Sequence, residues 1–187
     1  MTLEKQKRKL NKGGEIVRYE PQGMTLLELS PDFVETFKRA GCPKFCQRLQ
    51  GHHADVTYQF TINYNGIKSK VGPIEFPVSE KTISTATYIP IQGERWFKGM
   101  IVDMAYCHDF FKHEHQNIKL AAGAPRGYVP ENQDKLLRVI QRYFTCEGRY
   151  NMVYLYHVGL LMHFTGKKTL NLPFFLYQSL GKMADKV

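Results

Sequence analysis

Three apolar segments with helical spacing occupy the C-terminal part of the chain. Pro130 begins the first, which is predicted to stop at Gly148, and its apolar residues recur every three or four positions. The second, from about residue 150 to 165, is apolar on nearly every side, as helices at the centre of a core are. The third starts near Asn171 and Pro173. The pattern predicts a block of three helices with the second at its centre.

The central segment of this block is too short and too polar to span a membrane. A spanning helix needs about 20 consecutive apolar residues. This run includes Asn151, His157 and His163, and it ends at Gly166 before two lysines. We therefore predict a helix surrounded by protein and no association with a membrane.

Strict alternation of apolar and polar residues marks a second kind of segment, from Val56 to Tyr64. Alternation with a period of two is typical of a strand with one buried face. Asn65-Gly66 follows and is the preferred sequence of a type I′ turn. The alternation resumes as far as Val71. The pattern predicts an antiparallel hairpin with strands at 56–64 and 67–71, and a short edge strand at 74–78 that contains Pro77.

In the rest of the chain, the sequence predicts short helices and a flexible N-terminal arm. Pro31 and the preceding Ser30 are typical of a helix start, and Ser79 is predicted to cap a helix that reaches Thr87. Trp96 is either a core residue or an exposed aromatic anchor, and we favour the core because aromatic side chains bury large areas. The predicted fold class is α+β: a mainly helical single domain over 15–187, a piece of a longer protein or a whole one, preceded by a flexible basic arm at 1–14.

The cysteines predict a reducing, intracellular environment. The chain has 187 residues, 43% of them hydrophobic, and its start lacks the apolar segment of a signal peptide. Its four cysteines are therefore expected to be free thiols. Zinc is an alternative for Cys42 and Cys46 with His52 and His53, because thiolates and imidazoles form structural zinc sites. The spacing of the two cysteines differs from the usual C-x2-C, so we favour ordinary thiols and predict no cofactor.

The sequence gives little support for an enzymatic activity. Glycine-rich phosphate loops of the known patterns are absent, and the carboxylates are scattered. A nuclease or transposase of the two-metal type would need carboxylates gathered on one sheet. Asp103 and Asp109 are the residues to which we assign that role if the alternative of a metal-dependent nuclease holds.

Basic residues are concentrated at the N-terminus of a chain whose formal net charge is +9. Residues 1–14 contain one glutamate and five cations, which are Lys5, Lys7, Arg8, Lys9 and Lys12. Lys68 and Lys70 share the polar face of the predicted hairpin. Runs of this kind contact phosphate or direct import into the nucleus, and a solvated tail is the alternative. Further cations that could line a groove are Arg126, Arg138, Arg142, Arg149, Lys167 and Lys168.

The segments "VGPIEFPVSEKTISTATYIP", "YIPIQGERWFKG" and "LLRVIQRYFTCEGRYNMVYLYHVGLLMHFTGKKTLNLPFFLYQSLGKMA" resemble the plant transposon protein family. More remotely, the chain is similar to the plant mobile domain of transposable elements. The resemblance covers roughly residues 25 to 185 and implies a plant source, an origin in a mobile element and a mainly helical domain. It implies no catalytic residues.

These observations together predict a non-enzymatic interaction module that contacts nucleic acid or a protein partner. The predicted contact residues are those of the basic arm together with Lys68 and Lys70. Two alternatives stay open: the metal-dependent nuclease, and a capsid-like protein that assembles with copies of itself.

Overall fold

A computed structural model describes residues 19–21, 31–48, 51–97, 109–115, 123–145 and 151–184. Seven α-helices are present in these ranges: α1 (Pro31–Arg39), α2 (Pro43–Arg48), α3 (Ala54–Asn63), α4 (Glu80–Thr87), α5 (Glu131–Ile140), α6 (Leu155–Phe164) and α7 (Leu172–Ala184). A π-helical segment, Gln141–Thr145, continues α5, and short 3-10 turns occur at His113–His115 and Arg126–Tyr128.

Strands form three separate antiparallel pairs in the described ranges. β1 (Tyr19–Pro21) pairs with β2 (Gly51–His53), β3 (Lys68–Val71) with β4 (Ile74–Pro77), and β5 (Ala124–Pro125) with β6 (Met152–Val153). The α+β class, the presence of a small antiparallel β-hairpin and the C-terminal helical block are confirmed. No helix in the described part of the chain is long and apolar enough to cross a membrane.

The central helix α6 is buried on every side, as its composition predicted. All residues from His157 to Phe164 are buried. Its start is later than expected, because Met152 and Val153 pair with β5 and the Nδ1 atom of His157 accepts a hydrogen bond from the Tyr154 N–H at 3.1 Å. The first helix of the block begins at Glu131, and its α-helical bonding changes to π-helical bonding after Ile140. Its predicted end at Gly148 lies outside the described residues.

The N-terminal helices cover one side of α6. α1 begins at Pro31 as predicted, and the ring of its Phe37 meets that of Phe164 edge-on with centroids 5.0 Å apart. Phe45 of α2 packs against Phe144 of the π-helical segment at 5.2 Å. Ring-on-ring contacts of this kind add to the free energy of burial. The helices far apart in sequence therefore share one aromatic core.

Trp96 lies at the centre of this core and confirms the prediction made from its size. It is 1% exposed, and its ring is parallel to that of Phe175 in α7, with centroids 6.1 Å apart. On the side of α6, the ring occupies the space that a side chain at position 159 would need. A Cβ atom on Gly159 would be 2.5 Å from Cη2 of Trp96. The glycine therefore allows the indole to contact the helix backbone.

The segment before Trp96 is fixed to the connection between α6 and α7. The Glu94 N–H donates to the Thr169 carbonyl at 2.9 Å, and the Asn171 N–H donates to the Glu94 carbonyl at 2.9 Å. Asn171 also begins α7, because its Oδ1 accepts from the Phe174 N–H at 3.0 Å. Position 93 has a φ of +90° and its Cβ would meet the Thr169 carbonyl, so only glycine fits there without strain.

The predicted hairpin is wrong in its first strand. Residues 54–63 form α3, and β3 pairs with β4 instead, through a turn at Gly72-Pro73. Gly72 has a φ of +56°, and the proline that follows it fixes a negative φ, which is the sign pattern of a type II′ turn. Asn65 does not adopt a positive φ; its Oδ1 accepts the N–H groups of Ile67 and Lys68.

Hydrogen bonds between side chains and backbone join α3 to the new hairpin. Ser69 donates to the Phe60 carbonyl at 2.7 Å, Asn63 donates to the Lys70 carbonyl at 2.9 Å, and Gln59 accepts from the Gly72 N–H. The predicted strand at 74–78 is confirmed as an edge strand, and the predicted helix at 79–87 is confirmed with Ser79 as its cap, which accepts from the Thr82 N–H.

We expect Gly159→Ala to destabilise the protein, because its Cβ would overlap the indole of Trp96. Overpacking of a core typically costs about 1–3 kcal/mol. Gly181→Ala is the matched control, since Gly181 lies in α7 with nothing within 4 Å of its added Cβ. That variant should be neutral or stabilising by up to about 1 kcal/mol, the usual effect of glycine to alanine in a helix. Urea unfolding measures the free energy of unfolding of both variants. Equal changes in the two would contradict the contact between Gly159 and Trp96.

Candidate interaction surface

The cations of the predicted basic arm lie outside the described residues. These are Lys5, Lys7, Arg8, Lys9 and Lys12. Their contribution to the charge of the protein follows from the sequence alone: residues 1–14 carry five cations and one anion. The assignment of the arm as a contact region stays a prediction.

Lys68 and Lys70 both lie on β3 and are exposed. Their strand alternates as predicted, so that they share the face opposite the buried Ser69. Glu75 on β4 is the register partner of Lys70, and its carboxylate accepts from Nζ of Lys68 at 3.0 Å. The hairpin therefore presents two cations and one anion, which is a weaker positive surface than the two lysines suggest.

Apolar side chains are exposed around this hairpin, where the sequence predicted a buried face. Ile67 and Ile74, at the two ends of the hairpin, are 66% and 65% exposed, and Val56 and Ile62 of α3 are also exposed. Exposed apolar groups that gather on one unit are typical of contact surfaces between proteins. The prediction that Val56, Ile62 and Ile67 share a buried face is wrong, because residues 54–63 form α3 and not a strand paired with β3.

The proposed zinc ligands lie on three different elements or connections. Cys42, just before α2, is buried, and its thiol donates to the Ala40 carbonyl at 3.3 Å. Cys46 is in α2, and His52 and the exposed His53 are in β2. The side chains of Cys46 and His52 are outside the described set. Among the side chains that are described, no group of three or more His, Cys, Asp or Glu residues could hold a metal.

The residues considered for a nuclease are only partly described. Asp103 is outside the described ranges. Asp109 is exposed and forms an ion pair with Lys167. In the histidine-rich segment nearby, the ring of His115 stacks on that of Tyr128 with centroids 3.6 Å apart. In the structure the Asp109 carboxylate binds a lysine, and His115 has an aromatic partner.

A row of cations on α5 and the π-helical segment that continues it is the feature that sequence reasoning missed. Lys135, Arg138 and Arg142 are exposed, and their spacing of three and then four residues places them on one helix face. The opposite face contains Leu136, Leu137 and Ile140, which are buried. The spacing was visible in the sequence, and Arg138 and Arg142 were already considered. Only the packing of α5 shows which face of the helix is turned to solvent.

Asp134 lies beside this row and binds two arginines. Arg126 donates to both of its carboxylate oxygens, the second contact being 2.8 Å, and Nε of Arg138 donates to Oδ2 at 3.1 Å. The side chains of Arg126 and Asp134 are only 20% and 19% exposed. The hydrogen bond with Arg126 lowers the pKa of Asp134, so its carboxylate is ionised at neutral pH.

Two buried histidines support α6 and the turn after it. Thr145 lies 3.4 Å from Nε2 of His157, and the Leu170 N–H donates to Nδ1 of His163 at 2.9 Å. Burial lowers the pKa of His163, although backbone groups of Ala40 and Lys168 act in the opposite direction. Nε2 of His163 is buried without a hydrogen-bond partner among the described residues. Both rings are therefore structural parts of the core.

Comparison with known proteins found no matching family model, no similar curated protein and no similar solved structure. Any functional assignment therefore rests on the residues of this chain alone.

The lowered pKa of His163 predicts a loss of stability in acid. Below about pH 6.5, the usual pKa of histidine, the unfolded chain binds a proton that the folded chain excludes. The free energy of unfolding should therefore fall as the pH drops from about 6.5 towards the lower folded pKa. His163→Asn retains an acceptor for the Leu170 N–H but cannot titrate. Urea unfolding of both proteins as a function of pH should show a shallower acid decline for the variant, and parallel curves would contradict the assignment.

Proposed function

We propose that this chain is an interaction module of transposable-element origin, from a plant nucleus, that binds nucleic acid through its phosphate backbone. The main support is the distribution of charge. Residues 1–14 carry a net charge of +4, out of +9 for the whole chain of 187 residues. Phosphate contacts by lysine and arginine supply most of the sequence-independent affinity for nucleic acid.

The charge pattern of the folded part is compatible with this role. Several of its carboxylates are engaged by cations, such as Glu75 by Lys68, Glu94 by Lys168 at 2.7 Å, and Asp109 by Lys167. These pairs reduce the negative potential that would otherwise repel a polyanion. The folded body therefore leaves the positive potential of the arm largely unopposed.

A protein partner is the second candidate, and the exposed apolar residues of α3 and the hairpin favour it. Val56, Ile62, Ile67 and Ile74 lie on one small unit. Self-association through this unit would match the capsid-like alternative. Light scattering at several protein concentrations tests that candidate separately, because association through apolar groups does not weaken with salt.

The experiment for the proposed function is a titration of short duplex and single-stranded DNA and RNA with the chain, at salt concentrations from about 50 to about 200 mM. We expect binding that weakens steeply with salt. Removal of residues 1–12 should reduce both the affinity and the salt dependence. The salt slope should fall by about 0.9 for each phosphate that the arm no longer neutralises.

Two arm variants provide the controls. In one, the five arm cations are replaced by glutamine; in the other, the arm sequence is scrambled with its charges kept. The electrostatic proposal predicts that the first variant resembles the truncated chain and the second the wild type. Absence of binding by the wild type at low salt would refute the proposed function.

A further inference from the structure

The row of cations on α5 is fixed in its orientation by the core. We call Lys135 and Arg138 of α5, together with Arg142 of the π-helical segment that continues it, the α5 stripe. Leu137 and Ile140, on the other side of the same helix, are fully buried. Within the π-helical segment, Gln141, Tyr143, Phe144 and Thr145 are buried and Arg142 is exposed. The stripe cannot turn towards the interior without displacing these side chains.

Hydrogen bonds hold the end of the stripe as well. Nε2 of Gln141 donates to the Met152 carbonyl at 2.7 Å, and Thr145 donates to the Gln141 carbonyl at 3.2 Å. The first of these bonds ties the segment that carries Arg142 to β6. A side chain on such a supported element has less conformational freedom to lose on binding than one on a loop.

Arg138 is oriented for contact with an oxyanion. Its Nε donates to Asp134, while the side chain is 66% exposed. Asp134 already binds Arg126 through both oxygens, so the added guanidinium leaves this cluster with a net positive charge. The two terminal nitrogens of Arg138 make no hydrogen bond with described residues and can bind a phosphate in the two-point manner typical of arginine.

The length of the stripe suits a row of phosphates. Lys135 and Arg142 are seven residues apart, which is about 10 Å along a helix. Phosphates of one strand of duplex DNA recur about every 3.4 Å along the axis, so the stripe spans about three of them. Proteins that bind single strands also stack bases on exposed aromatic rings. Tyr143 and Phe144, next to the stripe, are buried, so a duplex backbone is the better match.

We propose that the α5 stripe is a second phosphate-contact site, which binds the backbone of duplex nucleic acid together with the basic arm. This inference rests on the proposed function, because it names the region of the folded body that contacts the same polyanion. Two tethered contacts bind more tightly than either one alone, since the first raises the effective concentration of the second.

The test uses the full chain with three substitutions in the stripe, Lys135→Gln, Arg138→Gln and Arg142→Gln. The matched control, Lys38→Gln, Arg39→Gln and Lys81→Gln, removes the same charge from exposed positions on α1 and α4. Both are titrated with duplex DNA and duplex RNA. We expect the stripe variant to bind at least about tenfold more weakly and to lower the salt slope by about 1 for each residue, with a much smaller effect of the control.

A second variant, with Lys135→Gln and Arg138→Gln only, keeps Arg142 and its local contacts in case the triple variant fails to fold. Circular dichroism and urea unfolding identify that case. The double variant should lower the salt slope by about 2. Equal weakening in the stripe variant and the control would show an effect of net charge alone and overturn the inference.

The two proposals fail in different ways. Binding that disappears with the arm and is unchanged by the stripe substitutions would overturn the inference and leave the proposed function intact. Absence of binding by the wild-type chain would overturn both. Persistence of stripe-dependent binding after removal of residues 1–12 would support the inference independently of the arm.

Discussion

The fold depends on the contact between the indole of Trp96 and the backbone of α6 at Gly159. Because position 159 has no Cβ, the largest side chain of the protein packs directly on the central helix. The ring of Phe175 in α7 lies parallel to the indole. The hydrogen bonds between Glu94 and the turn before α7 hold in place the segment that contains Trp96. One side chain thus joins α6, α7 and the chain that precedes the C-terminal block.

Burial of α6 on every side from His157 to Phe164 determines what the neighbouring helices can present to solvent. Each helix that surrounds an enclosed helix packs against it with one face and exposes the opposite face to solvent. For this reason α5 has an apolar inner face and a polar outer face. The outer face of α5 and of the π-helical segment after it carries Lys135, Arg138 and Arg142. The buried face and the candidate contact surface are therefore two sides of the same helical segment.

Local signals predicted the parts of the fold that local chemistry determines. Pro31 starts α1, Ser79 caps α4, and the all-apolar segment around Val158 is the central helix. These features depend on neighbours within a turn of helix, so the sequence contains enough information. The role of Gly159 was not predictable, because it depends on a residue 63 positions earlier in the chain.

The hairpin prediction failed because its evidence fits two structures. Val56, Phe60 and Tyr64 alternate with polar residues, but they are also spaced by four, which is one turn of a helix. Phe60 and Tyr64 stack on each other in the observed structure, with centroids 5.5 Å apart. The choice depends on the partner of β3, which pairs with β4 through the turn at Gly72-Pro73. For the candidate contact site, the sequence shows the spacing of the cations in the α5 stripe. Only the tertiary structure shows that these side chains are exposed to solvent.

We expect nucleic acid to lie along the exposed face of α5. Lysine acetylation in the presence and absence of duplex DNA, followed by mass spectrometry, tests this central claim most directly, because Lys135, Lys81 and Lys38 are all exposed in the free protein. We predict that DNA protects Lys135 and the arm lysines and leaves Lys81 and Lys38 as reactive as before. Equal protection of all of them, or protection of Lys68 and Lys70 without Lys135, would contradict the claim.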